Sequence, residues 1–183
     1  MKVTVFCGSS IGNEIFKKTA YEFGKFLAQN NHELIYGGGS VGLMGAVSKG
    51  VKDNNGKVKG IITELLMEKE LGNKNADELI IVKTMHERKA LLAKTELFVT
   101  MPGGLGTLEE VFEVWTHAQL GYHTNPIAFL NINGYFNKLF EFLEFCVKQG
   151  FIGKDFLKMA MVCDNFVEIF DKIKTYKSPK FKY

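Results

Sequence analysis

Short apolar runs ending in small residues alternate with longer amphipathic stretches along this chain, and that alternation restricts it to one fold class. Residues 3–7 read as a strand; residues 13–30 place Ile15, Phe16, Ala20, Phe23, Phe26 and Leu27 on one helical face; residues 33–36 return as a strand. After Gly37-Gly38-Gly39 the pattern repeats, with a helix over 42–54, strands over 58–62 and 80–82, and a helix over 86–95. An apolar strand over 97–101 leads to a helix over 108–119. A strand over 126–130, an amphipathic helix over 134–149, a short strand at 161–162 and a helix over 165–176 complete the series. Repeated strand–helix–strand units predict an α/β fold, an open and mostly parallel sheet with helices on both faces.

At 183 residues the chain suits one domain, expected over 1–176, with a basic tail over 177–183. That tail, Lys177-Ser178-Pro179-Lys180-Phe181-Lys182-Tyr183, reads either as a nucleic-acid arm or as a frayed or partner-docked chain end. The protein's 23 basic and 20 acidic residues are spread along its length, which excludes the concentrated basic stripe of a duplex-binding protein. Cys7, Cys146 and Cys163 are too few and too scattered for a disulfide framework or a zinc site. The opening residues lack the pattern of a signal peptide, and no apolar run reaches the ~18 residues of a membrane span. The expectation is a soluble cytoplasmic protein with neither membrane nor nucleic acid as partner.

In an open parallel sheet, ligands bind beyond the carboxyl ends of the strands. Three loops there stand out. Cys7-Gly8-Ser9-Ser10-Ile11-Gly12 offers small residues and hydroxyls but is not the dinucleotide fingerprint, which disfavours an NAD dehydrogenase. Gly37-Gly38-Gly39 removes three successive side chains, as close approach to a ligand requires, whereas Gly42 and Gly45 equally suit helix-to-strand packing. Pro102-Gly103-Gly104-Leu105-Gly106-Thr107-Leu108-Glu109-Glu110 presents free amides at a helix start, with a hydroxyl beside them, a construction suited to phosphate. No Lys-Ser/Thr pair follows, so this is not a triphosphate-hydrolysing loop. Thr107 and Glu110 also have capping-box spacing, which leaves Glu110 open as a helix cap. Arg88 and Lys89, adjacent near a strand end, suit an anionic group but alone could be solvated surface charges.

Taken with Met85-His86-Glu87-Arg88-Lys89, the segment 37–45 and the stretch 115–121, the Pro-Gly-Gly-x-Gly-Thr-x-x-Glu loop resembles the LOG family. Those proteins are cytokinin riboside 5′-monophosphate phosphoribohydrolases. The resemblance covers nearly the whole chain, with a one-residue departure near Lys94-Thr95-Glu96-Leu97. It implies a Rossmann-like homodimer, or an assembly of dimers, that cleaves the N-glycosidic bond of a nucleoside monophosphate without metal or organic cofactor. It further implies Arg88 and Glu110 as the catalytic pair. Gly103, Gly104, Gly106 and Thr107 would hold phosphate, with Gly8, Ser9, Gly38, Gly39, Glu70, Lys89 and Thr116 also contacting the nucleotide.

Cleaving such a bond develops positive charge on the ribose, which a carboxylate at Glu110 would stabilise while orienting water. A second reading is a non-catalytic carrier of a phosphorylated ligand, such as a molybdenum-cofactor carrier; a third, weaker one is a single-strand binder. Lysine decarboxylation, a label some relatives carry, needs pyridoxal phosphate on a lysine Schiff base, a poor fit to one small α/β unit. Cys146 and Cys163 are expected in the core, and Cys7 is expected to be structural for want of an activating base. His86, His117 and His123 have no metal-ligand spacing.

Overall fold

The computed structural model describes residues 1–178. Its strands are β1 (Lys2–Phe6), β2 (Glu33–Tyr36), β3 (Val58–Thr63), β4 (Glu78–Val82), β5 (Leu97–Thr100), β6 (Ile127–Leu130) and β7 (Ala160–Cys163). They form one parallel sheet in the order β4-β3-β2-β1-β5-β6-β7. The strand order reverses beside β1, where Val3 pairs in register with both Leu34 and Leu97. The fold is therefore the expected α/β, Rossmann-like open sheet. Its helices are α1 (Glu14–Gln29), α2 (Gly42–Asp53), α3 (Glu64–Lys69), α4 (Met85–Leu92), α5 (Leu105–Gln119), α6 (Asn137–Lys148), α7 (Lys154–Leu157) and α8 (Phe166–Ile173).

Alternation along each strand divides the core into two layers. Val3 and Val5 of β1 join Phe23 and Leu27 of α1, Val47 of α2 and Ile169 of α8 on one face. Phe6 joins Leu92 of α4, Val111 and Trp115 of α5, and Phe98 and Phe129 on the other. Each such fully buried side chain contributes about 1.5–3 kcal/mol of burial free energy. Thr4, wholly buried, donates its hydroxyl to the Leu92 carbonyl at 2.8 Å and so ties β1 to the end of α4.

α1 begins at Asn13, whose side chain accepts the Ile15 amide, and it buries Ala20, Phe23, Gly24 and Leu27. It packs closely on α2 because Gly24 and Gly50 face the partner helix. A Cβ on Gly24 would collide with the Val47 carbonyl, and one on Gly50 with the Tyr21 carbonyl.

Several boundaries differ from the sequence pattern, and each has a local cause. α3 and α7, with six and four residues, are too short to display a helical period. α4 starts at Met85 because Thr84 and Glu87 form a reciprocal capping box, a signal that the apolar period alone does not reveal. The helix expected over 134–149 begins only at Asn137; Asn133 and Gly134, both at positive φ, interrupt the chain before it. Pro179 to Tyr183 of the basic tail lie outside the described residues. Among those described, no helix is long and apolar enough to cross a membrane.

Candidate active site

Reversal of strand order between β1 and β5 opens a crevice at their carboxyl ends, and backbone hydrogen bonds sew three glycine loops around it. The Gly8 amide donates to the Pro102 carbonyl at 3.0 Å, and the Leu43 amide to the Gly8 carbonyl at 3.0 Å. Tyr135 donates its hydroxyl to the Gly103 carbonyl at 2.8 Å. The open cavity there measures about 390 Å³. Gly8, Ser9, Glu70, Arg88, Gly104, Gly106, Thr107 and Glu110 line it, which brings together residues from β1, α3, α4 and α5.

α5 begins at Leu105 with Gly104 as its N-cap, three residues earlier than the sequence pattern indicated, and no side chain caps it. The first-turn amides therefore face the opening, at the positive end of a fifteen-residue helix. Cβ atoms at Gly104 and Gly106 would meet nothing within 4 Å, so this end is unobstructed. Gly103 is small for another reason, since a Cβ there would strike Thr107 and the Gly8 amide nitrogen. The early helix start also removes the cap reading of Glu110, which lies in the second turn of α5 rather than three residues after an N-cap.

Glu110 instead meets Arg88. The guanidinium Nη1 donates to Glu110 Oε1 at 2.6 Å, with the two side chains 7% and 13% exposed. Arg88 Nε donates to the Ile61 carbonyl at 3.0 Å, and Nη2 to the Gly37 carbonyl at 3.5 Å. Arg88 is thus a buried, oriented cation and not a solvated surface charge. Burial pushes the Glu110 carboxyl above its ordinary pKa, against the charge and hydrogen bond of Arg88. A negative charge held in this low-dielectric pocket acts strongly on any positive charge that develops beside it.

The triple glycine serves these side chains. A Cβ on Gly37 would fall closer than 3.0 Å to Arg88 Nη2, and one on Gly39 would lie 3.2 Å from Glu70 Cβ. Gly38, at φ 82°, packs against Ile62 and Leu79. Gly37 lines the cavity; Gly38 and Gly39, the two positions expected to contact ligand, are not among its lining residues.

Gly103, expected to hold phosphate, does not line the cavity either, and two other expected contacts lie elsewhere. Lys89 is not among the lining residues and pairs with Glu109 at 2.6 Å and Glu113 at 2.8 Å. Thr116 is exposed beside Phe112, Trp115 and Gln119, away from the cavity. The sequence pattern does not disclose the apolar wall formed by Met44, Leu66, Met85 and Leu105, because its members come from four separate elements. Cys7 lies buried beneath the cavity, its thiol pushed up by burial and by Glu110 and Glu70, which disfavours thiolate chemistry. Cys163 is buried as expected, whereas Cys146 is only half-buried. His123 bonds the Val114 carbonyl at 2.8 Å.

A family model described as possible lysine decarboxylase matches residues 44–173. Pyridoxal phosphate does not fit the cavity: no lysine among the described residues lines it, and the neighbouring Lys89 is engaged by two carboxylates. Over 177 residues the chain is 41% identical to cytokinin riboside 5′-monophosphate phosphoribohydrolase LOG1 of Arabidopsis thaliana, covering 96% of this chain and 83% of that protein. It is 43% identical over 178 residues to LOG5 of the same plant, covering 96% and 78%. Among solved structures, the molybdenum cofactor binding protein of Rippkaea orientalis superimposes with a TM-score of 0.70 at 20% identity, covering 95% of this chain and 97% of that one. The molybdenum cofactor carrier protein of Chlamydomonas reinhardtii gives 0.70 at 19%, covering 94% and 95%. Likeness at that identity establishes a shared fold, whereas the matches to the phosphoribohydrolases run the length of the chain at twice the identity. The chain belongs to the LOG family of cytokinin riboside 5′-monophosphate phosphoribohydrolases.

Proposed function

We propose that this protein hydrolyses the N-glycosidic bond of adenosine 5′-monophosphate or an N6-substituted relative, releasing the free base and ribose 5-phosphate. One observation carries the reading: the Arg88–Glu110 pair and the open amino end of α5 face the same cavity. Its volume lies within the roughly 300–1,000 Å³ of small-molecule sites. In this reading the 5′-phosphate sits on the amides after Gly104 beside Thr107, and that remote contact fixes the ribose. Glu110 faces the anomeric carbon, stabilises the oxocarbenium-like transition state and takes a proton from the attacking water; Arg88 orients Glu110. A carrier would use the α5 amides but has no need of a carboxylate held against a guanidinium beside them.

The exposed apolar residues Met85, Leu105, Leu120 and Tyr122 run along α4, α5 and the following turn. They support a homodimer docked on this side, which would place Lys89 and Thr116 at the subunit boundary. Such an interface should bury well over ~1,000 Å². Light scattering at micromolar concentration should report a dimer, and a monomer would contradict it. Three unpaired cysteines are consistent with a reducing cytoplasm.

The activity is tested by product analysis with AMP, N6-isopentenyl-AMP and the matching nucleosides. Free base and ribose 5-phosphate should form from the monophosphates, with little release from the nucleosides. Equal rates with and without phosphate would overturn the reading.

A further inference from the structure

We propose that Glu70 donates the proton to the departing nucleobase, making this a two-carboxyl site in which Glu110 works at the ribose and Glu70 at the base. The inference rests on the N-glycosidic reading above.

Glu70 closes α3, and its backbone is held from both sides. Its amide donates to the Leu66 carbonyl at 2.8 Å, and its carbonyl accepts the Ser40 amide at 3.1 Å. The Gly39–Gly72 bridge fastens the same two segments together. Gly39 leaves the space in which the Glu70 side chain stands, since a Cβ there would meet both Met44 and Glu70. The carboxyl reaches the cavity that Glu110 and Arg88 line. Its Oε2 is one of two buried side-chain polar atoms among the described residues without a hydrogen-bond partner.

The titratable and charged groups that share the cavity with this carboxyl are the Arg88 guanidinium from α4, the Glu109 and Glu110 carboxyls from α5 and the Cys7 thiol just after β1. Among the described residues the cavity is thus lined by one cation and three carboxyls, of which Glu109 is paired outside it with Lys89 at 2.6 Å. Arg88 is committed to Glu110 through a hydrogen bond at 2.6 Å. Two carboxylates sharing a site repel, and the one without a hydrogen-bonded cation takes the proton. Burial pushes the Glu70 pKa up, with only the more distant charge of Arg88 opposing it.

In the step proposed, the bond between C1′ and the base nitrogen breaks and its electron pair leaves with the base. The proton of Glu70 passes to a ring nitrogen, so the base departs neutral. Water adds to C1′ and gives its proton to Glu110. Exchange with solvent then returns that proton from Glu110 to Glu70, and the net reaction consumes one water.

The test compares a substrate whose base needs protonation with one whose leaving group does not. AMP is the first; 4-nitrophenyl ribofuranoside 5-phosphate, which releases a stable anion, is the second. Glu70→Gln, isosteric and checked for folding by circular dichroism, should lose about 10²-fold or more in kcat on AMP. On the nitrophenyl substrate it should stay within about threefold of the wild type, a span of ~0.7 kcal/mol. The alkaline limb of the wild-type kcat/KM profile on AMP should vanish in Glu70→Gln and persist in Glu70→Asp. Equal losses on both substrates, or wild-type kcat on AMP, would refute the role of Glu70 while leaving the hydrolase reading intact. A wild-type protein that cleaves neither substrate would remove both.

Discussion

Gly37→Ala tests whether the Arg88 guanidinium must stand where it does. The added methyl would lie closer than 3.0 Å to Nη2 and 3.1 Å from Met44 Sδ, whereas ordinary contact is 3.4–4 Å. Arg88 must then retreat by roughly 1 Å to restore van der Waals distance. It has little room, because Nε is held by the Ile61 carbonyl, Nη1 by Glu110, and the side chain is almost wholly enclosed. Misplacing an orienting group by about 1 Å lowers rate on the order of 10²-fold. Position 37 is outside the positive-φ region, so alanine adds no backbone strain and only the crowding counts. Overpacking of this kind destabilises by about 1–3 kcal/mol. For a chain of this size that lowers Tm by roughly 2–12 °C. The assay is kcat/KM for base release, with Tm measured on the same preparation. A folded Gly37→Ala protein with wild-type kcat/KM would refute the reasoning. Gly104→Ala is the contrast: its methyl meets nothing within 4 Å, so stability should change by about 1 kcal/mol or less. That methyl stands at the proposed phosphate position, so KM should rise; an unchanged KM would move the phosphate elsewhere.

Glu110→Gln keeps an acceptor for the Arg88 guanidinium while removing the negative charge. Turnover should fall by roughly two orders of magnitude or more, and retained turnover on a substrate the native protein cleaves would favour the carrier reading. For Glu70 the pH dependence has a definite sign. Its folded pKa is raised by burial, so its contribution favours the fold below the unfolded pKa and turns against it as pH rises through the folded value. Glu70→Gln should therefore melt above the wild type near pH 7–8 and lose that advantage near about pH 4, below the ordinary carboxylate pKa. A Tm difference constant across that range would contradict the burial argument.

Much of this molecule follows from local pattern. Strand and helix periods, read along the chain, suffice for the parallel α/β architecture, because each strand carries its own apolar run and each long helix its own face. Glycines and Thr107 after a buried strand likewise mark an anion-facing helix start, since free amides at a helix N-terminus are a local property. What tertiary structure decided is where charges and small residues end up. Whether Arg88 is a surface cation or a buried one depends on Ile61 of β3 and on Glu110, 22 residues away. Glu110 is no cap because α5 starts three residues early, at an N-cap that has no side chain to announce it. The glycines at 37 and 39 look the same in sequence whether they clear a path for a ligand or for protein. Only the folded chain shows that their missing Cβ atoms make room for Arg88 and Glu70, because the neighbours that would collide come from other elements.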